Sequence, residues 1–106
     1  MKTETNHITV SSAVTPIIEV DHEAGAVYVR FKQGKVARTI VRPCTTMHIA
    51  VDLDAKGGLL GIEAVGMRQI VITQILKLAA VSAPKLNLAD AQIIPTRLAA
   101  PATACA

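Results

Sequence analysis

Between Pro16 and Gly66 the chain breaks into short aliphatic runs separated by turn-forming residues. PIIEV is followed by DHEAG, AVYVRF by KQGK, VARTIVR by PCTTM, and HIAVDLD by AKGG, after which comes LLGIEAV. Runs of this length, rich in β-branched residues and bounded by Gly, Pro, Asn or Asp, read as strands. They give five candidate strands on short connections, hence a mostly antiparallel meander. Registers follow from keeping aliphatic residues on one face. If Asp21 and Ala26 close the first hairpin, Val20 faces Val27 and Ile18 faces Val29, with Gly25 where a positive φ is needed. If Gln33-Gly34 is a two-residue turn, Phe31 faces Val36 and Val27 faces Ile40, leaving Arg38 as a misfit opposite Val29. If AKGG is a four-residue loop, Leu53 faces Leu60, Val51 faces Ile62 and Ile49 faces Ala64. A slip of one residue would scatter these pairs across both faces.

After Gly66 the period becomes helical. In VITQILKLAAVS, Ile72, Ile75, Leu76 and Ala79 share one side, while Gln74 and Lys77 lie on the other. Thr73 is positioned to cap the start, and Pro84 stops the helix soon after Ser82. A helix this short needs the sheet for stability and is expected to lie across its aliphatic face. Residues 1–15 read as a flexible polar arm and 16–82 as a single domain. Residues 83–106 read as an extended or partly disordered tail: KLNLADAQIIPTRL is an extended segment or a further helical turn interrupted by Pro95, and AAPATACA is disordered. The expected fold is α+β: a small antiparallel meander of about five strands with one short C-terminal helix packed on one face.

Composition narrows this. Only Tyr28 and Phe31 are aromatic, so the core must be Ile, Leu, Val and Ala; a hydrophobic content of 51% excludes global disorder. A chain of 106 residues makes one domain with a thin core. One sheet under one short helix leaves aliphatic surface or strand edges that pairing would bury, so a homodimer is expected. Net charge +3 permits a polyanionic partner without demanding one. The first residues, MKTETNHITV, lack the apolar core of a signal peptide, and the longest apolar stretch is too short for a membrane span and carries Lys77. Cys44 and Cys105 make neither a disulfide framework nor a metal cluster, so a reducing cytoplasmic setting is the expectation.

One stretch suggests chemistry. DLDAKGGLLGIE, from Asp52 to Glu63, matches the calcium-loop pattern D-x-[DN]-x-[DN]-G-x5-E except at Lys56. A calcium loop of that kind sits between helices, whereas HIAV and LLGIEAV are strand-like, and Lys56 brings a cation where an oxygen belongs. No metal site or cofactor is therefore expected. The hairpin reading instead puts Asp52, Asp54 and Glu63 on the face opposite the aliphatic one, with Gly61 opposite Asp52 admitting a close approach. Tyr28 and Arg30 share that face, making a candidate polar patch of Tyr28, Arg30, Asp52, Asp54 and Glu63. Paired carboxylates can divide acid and base roles, and His48 is the one histidine near them. Cys44 lies four residues from His48 but lacks an orienting third group for nucleophilic work. Between Glu23 and Asp52 there is no acid, while Arg30, Lys32, Lys35, Arg38 and Arg42 all fall there. That reads either as a basic β-ribbon for nucleic acid or acidic protein, or as a solvated edge with ion pairs to Glu19, Asp52 or Glu63.

The run IEVDHEAGAVYVRFKQGKVARTIV followed by HIAVDLDAKGGLLGIEAVG resembles the small bacterial family catalogued as domain of unknown function 2283. The matching positions are Asp21, Ala24, Ala26, Tyr28, Val29, Val51, Asp52, Asp54, Gly57, Gly61, Ile62 and Glu63, and the two runs span about half the chain. Gly25 departs from the family, which has Asp there. The resemblance implies a small antiparallel sheet with a helix, no established activity, and an association with small toxin-like proteins as an antitoxin-like partner. The leading expectation is thus a non-enzymatic protein-interaction module. The alternatives are a β-ribbon nucleic-acid binder through residues 30–42, and a carboxylate- or metal-dependent hydrolase using Asp52, Asp54 and Glu63.

Overall fold

In the computed structural model, residues 7–96 are described. The strands are β1 (Ile8–Thr9), β2 (Ile17–Asp21), β3 (Ala26–Arg30), β4 (Arg38–Arg42), β5 (His48–Leu53), β6 (Leu59–Val65), β7 (Val81–Ser82) and β8 (Gln92–Pro95). The helix α1 spans Ile72–Ala79. The main sheet has six strands in the order β4-β5-β6-β3-β2-β8, antiparallel throughout except for the parallel β2–β8 pair. The α+β class stands, with a larger and mixed sheet.

The first hairpin keeps its expected register, Val20 opposite Val27 and Ile18 opposite Val29, and Gly25 takes φ 62° in its turn. Asp21 holds that turn by accepting the Ala24 amide at 3.2 Å. The third hairpin pairs Val51 with Ile62 and Ile49 with Ala64, but Leu53 meets Leu59 instead of Leu60. Leu60 is an extra residue at a bulge: Asp52 pairs with Gly61 and Leu53 with Leu59, stepping past it. Its carbonyl accepts both the Phe31 and Lys32 amides, at 2.7 and 3.2 Å.

The second hairpin does not form. β3 pairs with β6, matching Val29 to Ile62 and Val27 to Ala64, and β4 pairs with β5 at the sheet's rim. The misfit explains the choice. A β3–β4 hairpin would set Arg38 against Val29, which is fully buried; at the rim, opposite Leu53, Arg38 remains exposed and hydrated. Antiparallel neighbours of high aliphatic content take the sheet centre instead.

The helix packs against β5, β6 and β7 on the aliphatic face, burying Ile75 and Ala79 over a core that includes Ile18, Val27, Val29, Ile49, Val51 and Ile62. Thr73 does not cap it: Val71 is the N-cap and makes no side-chain cap bond. The helix ends at Ala80, which adopts the left-handed conformation, before Ser82 and Pro84 are reached. Ser82 belongs instead to β7, which pairs in parallel with β1, and Val14 bridges Leu86 further on. Residues 7–15 are thereby tied to the chain after the helix, where a loose arm was expected; residues 1–6 lie outside the described residues. Part of the expected tail, β8, is an edge strand beside β2. AAPATACA, with Cys105, lies outside the described residues.

Candidate functional site

Strand alternation leaves one sheet face polar. On it, Glu19 comes from β2, Tyr28 and Arg30 from β3, Glu63 and Gly61 from β6, Asp52 from β5 and Thr39 from β4. Arg30 is anchored by Glu19, with Nη2 3.1 Å from both carboxylate oxygens and Nε 3.3 Å from one. Its guanidinium carbon sits 4.9 Å from the centroid of the Tyr28 ring, a cation–π distance. The ring lies over Gly61, where an added Cβ would overlap it. From there the Tyr28 hydroxyl donates to Asp52 Oδ2 at 2.9 Å, while the Thr39 hydroxyl donates to Asp52 Oδ1 at 2.7 Å. The result is one hydrogen-bonded strip crossing from β2 to β4. Gly61 does admit a close approach, and what approaches is this chain's own tyrosine.

These contacts fix the chemistry. The Tyr28 hydroxyl is pushed well above its ordinary pKa, first by burial and then by the hydrogen bond to Asp52 and its negative charge, with Arg30 pulling the other way. It stays a proton donor at any ordinary pH. Asp52 accepts on both oxygens and serves as the acceptor that orients Tyr28 and Thr39. Glu63 is not joined to it. Glu63 faces Ala50 across the β5–β6 pair and lies 3.7 Å from His48 Nε2.

Asp54 is turned to its own loop. Oδ1 accepts the amides of Lys56 at 2.9 Å and Gly58 at 2.7 Å, and Oδ2 lies 2.9 Å from Lys32 Nζ. The lysine contact, with the Gly58 and Lys56 amides behind it, holds the carboxyl down at about 2. Gly57 supplies the positive φ of 83° that this turn needs. The segment that resembles a calcium loop is therefore a β-hairpin turn whose acid binds backbone amides. Among the described residues, no group of three or more His, Cys, Asp or Glu is placed to hold a metal ion.

The five cations of residues 30–42 do not line one ribbon, because β3 and β4 are separated by β5 and β6. Arg30 pairs with Glu19 and Lys32 with Asp54. Arg42 is buried on the aliphatic side and donates from Nε to the Ala79 carbonyl at 2.9 Å, at the end of α1. Lys35 and Arg38 are exposed. Cys44 is half-buried; the Thr46 amide holds its thiol below the ordinary value, opposed by desolvation and aided by the Met47 amide. Of the three acids expected as partners for the basic residues, Glu19 is the one that holds Arg30, while Thr39 was missed. Its signal was the PCTTM segment, which could have been read as the turn pairing β4 with β5.

Fold and site together define a small α+β protein with an open-faced sheet whose polar face is cross-linked by its own side chains. Among the described residues no helix is long and apolar enough to cross a membrane. No family model matches the chain, and no curated protein or solved structure matches it either.

Proposed function

We propose that this protein is a non-enzymatic protein-interaction module that works as a homodimer with a small protein partner. The observation carrying this reading is a contrast between polar and apolar groups. Tyr28, Arg30, Asp52 and Asp54 are engaged with one another or with neighbouring groups of the fold, whereas large aliphatic side chains stand exposed at both sheet edges. Val41 on β4 is 63% exposed and Ile93 on β8 is 67% exposed. Ile93 also borders an apolar hollow with Ile18, Val20, Ile70 and Ile72, a surface that a second copy would cover. The resemblance to the domain of unknown function 2283 family supports a toxin-like partner.

The test is purification of the tagged protein from its native host, with mass measured by light scattering. A dimer carrying a second protein in fixed stoichiometry is the expected result. A partnerless monomer with hydrolytic activity that disappears in Asp52→Asn would overturn the reading in favour of a carboxylate enzyme.

A further inference from the structure

The two edges of the main sheet differ in a way that bears on partner choice. On the β8 edge, Val20 lies opposite Pro95 and accepts the Thr96 amide at 2.8 Å. In a parallel ladder this turns the backbone of Pro95 away from β2, so the position that lacks an N–H faces outward. That edge is blunted against further strand pairing. The β4 edge has no such block. Arg38–Arg42 contains neither Pro nor Gly, and among the described residues it pairs with β5 alone, with no strand on its other side. Side chains alternate there. Thr39 and exposed Val41 lie on the polar face, while Arg38 and Ile40 lie on the helix face.

Charge decides what fits. No acid occurs between Glu23 and Asp52, and both Lys35 and Arg38 are exposed at or just before this edge. A second copy pairing antiparallel at this edge would set one basic, acid-free strand against another, with Lys35 and Arg38 exposed on both, and such like charges repel. Nucleic acid would meet few free cations, since Arg30 and Lys32 hold carboxylates and Arg42 is turned into the fold. An extended, acidic protein segment matches the edge at both levels: its backbone completes the β4 ladder, and its acids face Arg38.

We propose that β4 is a strand-addition site for an extended acidic segment of a partner protein, with an acidic residue against Arg38 and an aliphatic one against Val41. The proposal rests on the interaction-module reading and names the kind of partner it takes.

The test is an NMR titration of the whole protein with a capped peptide of about ten residues that alternates Glu with Val. A Lys–Val peptide of equal length is the control. The Glu–Val peptide is expected to protect from exchange the alternate amides of residues 38–42 that face away from β5, and added salt is expected to weaken it. Arg38→Glu should reduce its affinity by about fivefold, while the same charge change at exposed Lys85, Lys85→Glu, leaves it unaltered. Equal binding of the Lys–Val peptide, or protection at another part of the sheet, overturns the proposal. So does protection of β4 that rises with protein concentration alone, which would assign the edge to a second copy. An oligonucleotide that protects the same amides more strongly overturns it in favour of nucleic acid. If β4 stays unprotected while a partner still co-purifies from the host, only the edge assignment falls; if no partner co-purifies either, the module reading falls with it.

Discussion

Tyr28 and Gly61 act as one unit. The ring fills the space a side chain at Gly61 would take, and its hydroxyl reaches past β6 to Asp52. Gly61→Ala is therefore expected to destabilise the fold by about 1–3 kcal/mol through overpacking, read from urea unfolding. In a Tyr28→Ala background the same change should cost far less, because the obstructing ring is gone; additive effects would show the two residues to be independent. Asp54 gives a pH signature. Its carboxyl is held at about 2 in the folded chain, against roughly 3.9 for an unfolded aspartate. The folded state favours the charged form, so this contribution is complete above the unfolded value and is lost as pH falls through the folded one. Acid titration of the melting temperature should show this loss, and Asp54→Asn should flatten that part of the curve. Alternation along the strands was enough to put Asp52, Glu63, Tyr28 and Arg30 on one face. The tyrosine's reach to Asp52 was not legible, because it depends on β3 pairing with β6, a contact between segments separated by two other strands.

The helix shows what a short element takes from its surroundings. Its eight residues begin without a side-chain cap, and its C-terminal end is the better held. There the Ala80 amide bonds the Leu76 and Lys77 carbonyls, and the buried Arg42 guanidinium meets the Ala79 carbonyl, a cation where the helix dipole favours one. Ala80 adopts φ 59°, a conformation that is strained for alanine and relaxed for glycine. Ala80→Gly is expected to raise stability by about 1 kcal/mol, and an unchanged or lowered urea midpoint would contradict that assignment. Arg42→Ala should lower stability by about 2 kcal/mol, since it removes a charged donor from a buried carbonyl. The apolar period located α1 correctly because its aliphatic stripe is what the sheet buries. The caps escaped because propensity favoured Thr73 at the N-terminus, while the C-terminal group comes from β4, some forty residues earlier in the chain.

At the scale of the whole molecule, topology turns on how each edge is finished. Local turn chemistry made the first and third hairpins readable: Gly25 and Gly57 take the positive φ their turns demand. The order of strands was harder to read, because a β3–β4 hairpin and a β4–β5 hairpin both keep aliphatic residues together. Only Arg38 separates them, through the cost of burying it opposite Val29. The edge strand β8 was hidden as well, since Gln92–Pro95 has no alternation and contains a proline. That proline suits an edge, and the strand's role can be tested. Ending the chain after Ala91 would remove β8, free the backbone groups of Ile17–Val20 that it pairs, and bare Ile18 and Val20 beside them. An edge without proline or cover is a template for further pairing, and the acids of β2 guard it little, since Glu19 is held by Arg30 and Asp21 by its own turn. The shortened chain is expected to form large assemblies at concentrations where the full chain has a single defined mass, as measured by light scattering. If instead it keeps that mass and loses only a little stability, then β8 is a passive addition, and β2 is guarded by the burial of Ile18 and Val20 in the core.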